Sequence, residues 1–179
     1  MQARYVVAQS LDGYIAGPHG ESDWIIMDPE IDFESLVSEF DTAFVGRHTY
    51  EGMGAAGQAG MTGMNTFVFS RTLRQTDHPA VTIVNGDSVS MVNDLRARPG
   101  KDIWLFGGGS LFRSLSEAGL VDTVETAMVP ILLGSGIQLL ESPANRLKLT
   151  LIAHKIYGSG VVSLKYSVNS TAARRRQRK

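Results

Sequence analysis

In Ile103-Trp104-Leu105-Phe106-Gly107-Gly108-Gly109-Ser110-Leu111-Phe112, four apolar residues run into three glycines. Ser110 then opens a stretch whose Leu111, Phe112 and Leu115 fall on one helical face, and Gly119 stops it. The pattern reads as buried strand, tight turn, helix. Three residues without a Cβ let a ligand lie against the main chain, and the helix start behind them offers unpaired N–H groups, which suits a phosphate. Neither the dinucleotide fingerprint nor the P-loop spacing is present, so a plain turn is the other reading of the glycines taken alone. Two more strand ends carry similar chemistry: Gly46-Arg47-His48-Thr49 after residues 42–45, and Phe69-Ser70-Arg71-Thr72 after residues 65–69. Open α/β sheets bind ligands at the carboxyl ends of their strands. Two arginines and two N–H-rich turns could together hold a ligand with several phosphates, such as a dinucleotide. Either arginine alone also reads as an ordinary surface residue.

These ends need a sheet to position them. Residues 2–9 read as a strand, followed by turn and loop through Pro18. Asp28-Pro29 offers an N-cap and a proline at the first helical position, with Phe33, Leu36, Val37 and Phe40 on one face, which predicts a helix over about 29–40. Short strands are expected at 42–45, 65–69 and 81–85, with a helical segment from Arg47 and another capped by Ser88, ending near Pro99-Gly100. After Leu120 no helix is signalled; residues 123–129, 147–157 and 161–168 alternate, the last two joined by Gly158-Ser159-Gly160 as a hairpin. The expected fold class is α/β, with a mainly parallel central sheet flanked by helices and a C-terminal antiparallel hairpin.

A chain of 179 residues is long enough to bury its own core as one domain, expected over 1–169. It has no cysteine, and His19, His48, His78 and His154 show no ligand spacing, so metal sites and thiol chemistry are not expected. No charged and apolar leader precedes the first strand and no apolar run approaches the roughly 20 residues that span a bilayer, so a cytoplasmic address is expected. Arg174, Arg175, Arg176, Arg178 and Lys179 crowd the C-terminus, so the formal net charge of −1 hides an acidic body. That body argues against a nucleic-acid-binding fold; the basic run over 170–179 reads as a disordered, solvated tail, with polyanion binding as the alternative.

Ala8 through Ala16 with its Leu-Asp-Gly-Tyr-Ile core, Val45-Gly46-Arg47-His48-Thr49-Tyr50-Glu51, Phe69-Ser70-Arg71-Thr72 and Phe106-Gly107-Gly108-Gly109-Ser110 stand in this order. In that order and context the chain resembles the dihydrofolate-reductase-like superfamily. Within it, residues 2–168 look closest to the C-terminal reductase domain of the bifunctional riboflavin-biosynthesis deaminase/reductase. The zinc deaminase half of that enzyme, with its histidine and cysteine ligands, is absent from this sequence, so the bifunctional activity is not expected.

The resemblance implies NADPH lying across the strand ends, a small-molecule substrate of ribosylaminopyrimidine or pterin type, and a homodimer to which residues 147–157 could lend an apolar face. Carried over residue by residue, the backbone at Ala8 and Ile15 would hold the nicotinamide carboxamide, with Gly17 nearby. Gly107, Gly108, Gly109, Ser110 and Leu111 would receive the pyrophosphate. Gly46, Arg47, His48 and Thr49 would meet phosphates from the other side, unless the His48 side chain faces solvent and only its backbone matters. Ser70 and Arg71 would flank the adenosine, where a cation could recognise the extra ribose phosphate. Dihydrofolate reductases hold the substrate's pyrimidine edge with a carboxylate early in the first helix, and Asp32 is the nearest candidate for that catalytic and substrate-binding role. Asp32 borders the Phe33, Leu36 and Val37 face, so it reads either as a partly buried acid or as one of several acidic residues that favour a helix start. Residues 12–24 read as a lid, with Trp24 lining the substrate pocket or closing the core beneath it. A nucleotide-binding regulatory or scaffolding module without turnover is the alternative function.

Overall fold

An eight-stranded sheet, with helices that start on glycine at the ends of two of its parallel strands, organises the computed structural model, which describes residues 1–169. The basic tail expected over 170–179 lies outside the described residues. In chain order the elements are β1 (Ala3–Ser10), β2 (Tyr14–Ala16), α1 (Phe33–Ser38), β3 (Phe40–Gly46), α2 (Arg47–Ala55), β4 (Asn65–Phe69), β5 (Thr82–Val84), α3 (Ser88–Arg96), β6 (Asp102–Gly107), α4 (Gly109–Glu117), β7 (Thr123–Val129), β8 (Ile137–Gln138), β9 (Leu149–Ile156) and β10 (Val162–Val168). The main sheet has the order β5-β4-β3-β6-β1-β7-β10-β9. Neighbours from β5 to β7 pair in parallel, while β10 pairs antiparallel with both β7 and β9. Strands that follow one another in the same direction need crossovers, and α2, α3 and α4 lie in those from β3 to β4, β5 to β6 and β6 to β7; the last two strands need only the turn closed by Gly160 N–H donating to the Tyr157 carbonyl at 3.0 Å.

Strand alternation divides the core into two layers. Phe44 enters the cluster with Val92, Leu95, Phe112 and Leu115 of α3 and α4, whereas Ala43 and Val45 enter the one with Tyr50 and Met53 of α2. Tyr5 of β1 stacks on Phe112 with ring centroids 4.1 Å apart, which fixes α4 against the centre of the sheet.

The first helix differs from the reading over 29–40. It covers six residues, with Asp32 as its N-cap and Phe40 already buried in β3. The Asp28-Pro29 signal is locally sound, but the Asp28 carboxylate is taken by the Glu30 amide at 2.8 Å and by the Ser159 amide at 3.1 Å, and the chain turns there. At α3 the cap is Asp87, which accepts from the Ser90 amide at 3.0 Å, one residue ahead of the expected Ser88. The short strands β2, read as loop, and β8, not recognised in the sequence, pair antiparallel in a sheet of their own through Tyr14↔Gln138 and Ala16↔Ile137. Two or three residues are too few for alternation to show.

Candidate functional site

The glycine turn ends β6 and opens α4. Gly107 has φ 156°, a backbone conformation that L side chains rarely adopt, and its peptide with Gly108 is cis. Gly108 caps α4 without a side chain to satisfy the first amides, and Gly46 does the same for α2. The two caps meet: a Cβ on Gly46 would lie 3.4 Å from both the Gly107 oxygen and the Gly108 nitrogen. A Cβ on Gly107 or Gly108 would find Thr49 Oγ1 at 3.5 or 3.6 Å and nothing nearer, so this side of the turn is open. Two nine-residue helices therefore begin side by side, neither with a side-chain cap on its first amides and each with the positive end of its dipole beside the turn. An anion carrying several phosphates is the ligand class such a cradle fits.

The basic residues lie at the neighbouring strand ends with different degrees of freedom. Arg47 donates to Glu51 one turn on at 3.0 Å and lies 3.1 Å from His48 Nε2, while the His48 side chain is exposed, the solvent-facing alternative of the sequence reading. Gly46 pairs with Phe69 across β3 and β4, which brings Ser70 and Arg71 beside the same turn. Ser70 is buried, and its Oγ accepts from the amides of Thr72 at 3.2 Å and Leu73 at 3.0 Å, so this hydroxyl organises its own turn. Arg71 is exposed and has no ion-pair partner among the described residues.

On the other flank the segment read as a lid is partly built into the fold. Ala8 lies in β1 and pairs with Ala127, and Ile15 lies in β2 against β8. Past β2, Gly17 N–H donates to the Glu21 carbonyl at 2.9 Å and Trp24 Nε1 donates to the same carbonyl at 3.1 Å, which folds residues 17–24 on themselves. Asp28, only 5% exposed, then pins the segment to the β9–β10 turn. Hydrogen bonds from Ser159 and the Glu30 amide hold its carboxyl below the usual carboxylate range. Asp32 is exposed and accepts from the Ser35 amide at 2.9 Å, so the partly buried carboxylate considered from sequence is instead a helix cap. The helix begins at Phe33, which leaves Asp32 outside it.

A strap over residues 131–141, not recognised in the sequence, closes this flank. A Cβ on Gly136 would stand 2.2 Å from the Ala16 oxygen, and one on Gly109 would stand 2.5 Å from the Gln138 oxygen. The strap thus touches both the β2 segment and the start of α4. Its one sequence signal is the pair Gly134 and Gly136, each at positive φ, after Pro130 in a run that does not alternate. Among the described residues no cluster of histidine and carboxylate side chains could hold a metal ion, and no helix is long and apolar enough to cross a membrane.

Residues 3–163 match the family model described as RibD C-terminal domain. The uncharacterized protein YyaP of Bacillus subtilis (strain 168) is 34% identical over 175 residues, covering 91% of this chain and 93% of that protein. Among solved structures, a "Putative riboflavin biosynthesis protein" of Shewanella sp. PV-4 superposes with a TM-score of 0.82 at 26% identity, covering 95% of this chain and 100% of that one. A dihydrofolate reductase from Enterococcus faecalis, complexed with NADP(H), shares the fold with a TM-score of 0.68 at 17% identity over 94% of this chain and 97% of its own.

Proposed function

The chain belongs to the RibD C-terminal domain family, and from that premise we propose an NADPH-dependent oxidoreductase that reduces a C=N or C=O group of a small heterocyclic substrate of ribosylaminopyrimidine or pterin type. The observation that carries the proposal is the convergence of two glycine-capped helix starts on the open Gly107-Gly108 turn. When bound, the reduced nicotinamide would supply the hydride. The protein's part is binding, orientation and exclusion of water. The amides of Gly109, Ser110 and Leu111 would hold the pyrophosphate against Gly107 and Gly108, with the first turn of α2 from Gly46 through Arg47, His48 and Thr49 opposite. The backbone at Ala8 and Ile15, with Gly17 beyond, would orient the carboxamide. Ser70 and Arg71 would meet the adenosine end, and Trp24 and Asp32 would stand on the substrate side.

Titration of the full chain with NADPH and separately with NADH, followed by tryptophan fluorescence, tests this. Saturable binding with NADPH preferred is expected. Arg71→Ala should reduce that preference about tenfold, the scale of one lost charge-assisted hydrogen bond. Arg47→Ala should cost less, because Arg47 is already shared with Glu51. Binding without oxidation of NADPH by pterins or ribosylaminopyrimidines would favour a regulatory module, and absence of saturable binding for both nucleotides would sink the proposal.

The same reading includes a homodimer. Edge strand β9 supports it: all eight residues are exposed, Leu151 at 48% and Ile156 at 71%, where an alternating strand normally buries one face. Sedimentation of the full chain should return a two-chain mass, and Leu151→Lys with Ile156→Lys should return one chain.

A further inference from the structure

We propose that Asp12 is a positioning residue that sets the nicotinamide end of the site by tying the β1–β2 corner to the strap; the inference deepens the reductase reading and rests on it. The corner does not need Asp12 to form, because Gly13 N–H already closes it on the Ser10 carbonyl at 3.0 Å. The carboxylate instead collects three donors. Oδ1 accepts from Ser10 Oγ at 2.6 Å and from the Leu133 amide at 3.1 Å, and Oδ2 accepts from the Gly134 amide at 2.8 Å. Two of these donors lie more than a hundred residues away along the chain. Ser10, almost completely buried, accepts from the Tyr14 amide at 3.0 Å while donating to Asp12, so one relay joins the last residue of β1, the first residue of β2 and the strap.

Main-chain bonds hold the strap on either side of this point, Leu11 N–H to the Ile131 carbonyl at 2.8 Å and Leu139 N–H to the Gly13 carbonyl at 3.0 Å. Between them, at Leu133 and Gly134, Asp12 supplies the tie. Three converging donors require an acceptor with two oxygens and no proton of its own, and an amide in this place would turn a donor toward one of the backbone N–H groups. Ala8 and Ile15 flank the corner in sequence, so the corner fixes their separation. Those are the two backbone positions assigned to the carboxamide. The strap then runs on to Gln138, whose carbonyl packs against Gly109. A shift at Asp12 is therefore passed to the nicotinamide side first and only through Gln138 to the phosphate side.

The test uses the full-length chain as wild type, Asp12→Asn, Asp12→Ala and Ser10→Ala, each checked for an unchanged circular dichroism spectrum. The probes are NADPH and adenosine 2′,5′-bisphosphate, which lacks the nicotinamide. Asp12→Ala should weaken NADPH about tenfold, as misplacement of a bound group does, and leave the bisphosphate unchanged within about twofold. Asp12→Asn should fall between, and Ser10→Ala, which cuts the relay from its other side, should reproduce the split. The amides of Leu133 and Gly134 should exchange faster with deuterium in Asp12→Ala. Equal weakening of both probes, unchanged NADPH binding, or unchanged exchange at those two amides would overturn the proposal. A wild-type chain that binds neither probe would overturn the reductase reading and the nicotinamide role with it, whereas bisphosphate binding with the expected exchange but no split would overturn the Asp12 assignment alone.

Discussion

Gly109→Ala should lower the stability of the fold by about 1–3 kcal/mol, the usual cost of overpacking, and weaken NADPH by about a hundredfold. The added Cβ would stand 2.5 Å from the Gln138 oxygen, with the Leu139 oxygen and the Glu141 nitrogen at 3.5 Å. All three are backbone atoms, so no side chain can swing aside, and either the strap or the start of α4 must move. Both border the proposed nucleotide site. Gly108→Ala separates that steric effect from the approach of the ligand. Gly108 has φ −103° and ψ −169°, open to any residue, and a Cβ there would meet only Thr49 Oγ1 at 3.6 Å. Its melting temperature should match wild type while NADPH binds about tenfold more weakly, because the methyl group occupies space over which the pyrophosphate would lie. Calorimetric melts and fluorescence titration of the two variants give both readouts. Wild-type affinity in Gly108→Ala would show that no ligand lies against that turn.

These two glycines also mark how far the sequence could be read. The run from Ile103 to Phe112 signals strand, turn and helix because each piece is local: apolar residues, missing side chains, then a helical face. The same local logic found the sheet's parallel half and its antiparallel end. What makes Gly109 obligatory is Gln138, in a two-residue strand that no periodicity reveals. Asp12 likewise reads as one more turn residue until the strap is in place. At Asp28 the helix-start chemistry was present, but a partner 131 residues away took the carboxylate and moved the cap to Asp32. The basic residues at the strand ends were legible as a group. Which was already paired was not, since the Arg47–Glu51 bridge depends on the helix that carries both.

Glu125→Ala should destabilise the protein by about 3–5 kcal/mol, a large share of the roughly 5–15 kcal/mol that holds a typical domain. Arg4 is only 4% exposed and meets Glu125 with two hydrogen bonds, Nε to Oε1 at 2.7 Å and a terminal nitrogen to Oε2 at 2.8 Å. Its other terminal nitrogen meets Glu39, and Asp102 at 3.4 Å, while the guanidinium lies 4.7 Å from the centre of the Phe40 ring. Lys165 at 3.1 Å and the Thr123 hydroxyl at 2.8 Å complete the shell of Glu125. Removing Glu125 leaves a buried cation without its bidentate partner, which costs more than the pair contributes. The variant Arg4→Met with Glu125→Leu, which removes both charges, should therefore recover much of the loss. These residues sit at the starts of the parallel strands, the end of the sheet opposite the glycine turn, so folded Glu125→Ala should bind NADPH like wild type. Acid supplies an independent check. Burial pushes the Glu125 carboxyl up, but hydrogen bonds from Arg4 and Thr123 and the charge of Arg4 outweigh it and leave the group below its ordinary range. Its contribution is then complete above the ordinary glutamate value of about 4.3 and is lost as pH falls through the lower folded value. Denaturant unfolding at neutral pH and at successively more acidic pH should show the gap between wild type and Glu125→Ala closing only below about pH 4. A gap under about 1 kcal/mol at neutral pH, or a double variant no more stable than the single one, would mean that this cluster behaves as a solvent-screened surface pair.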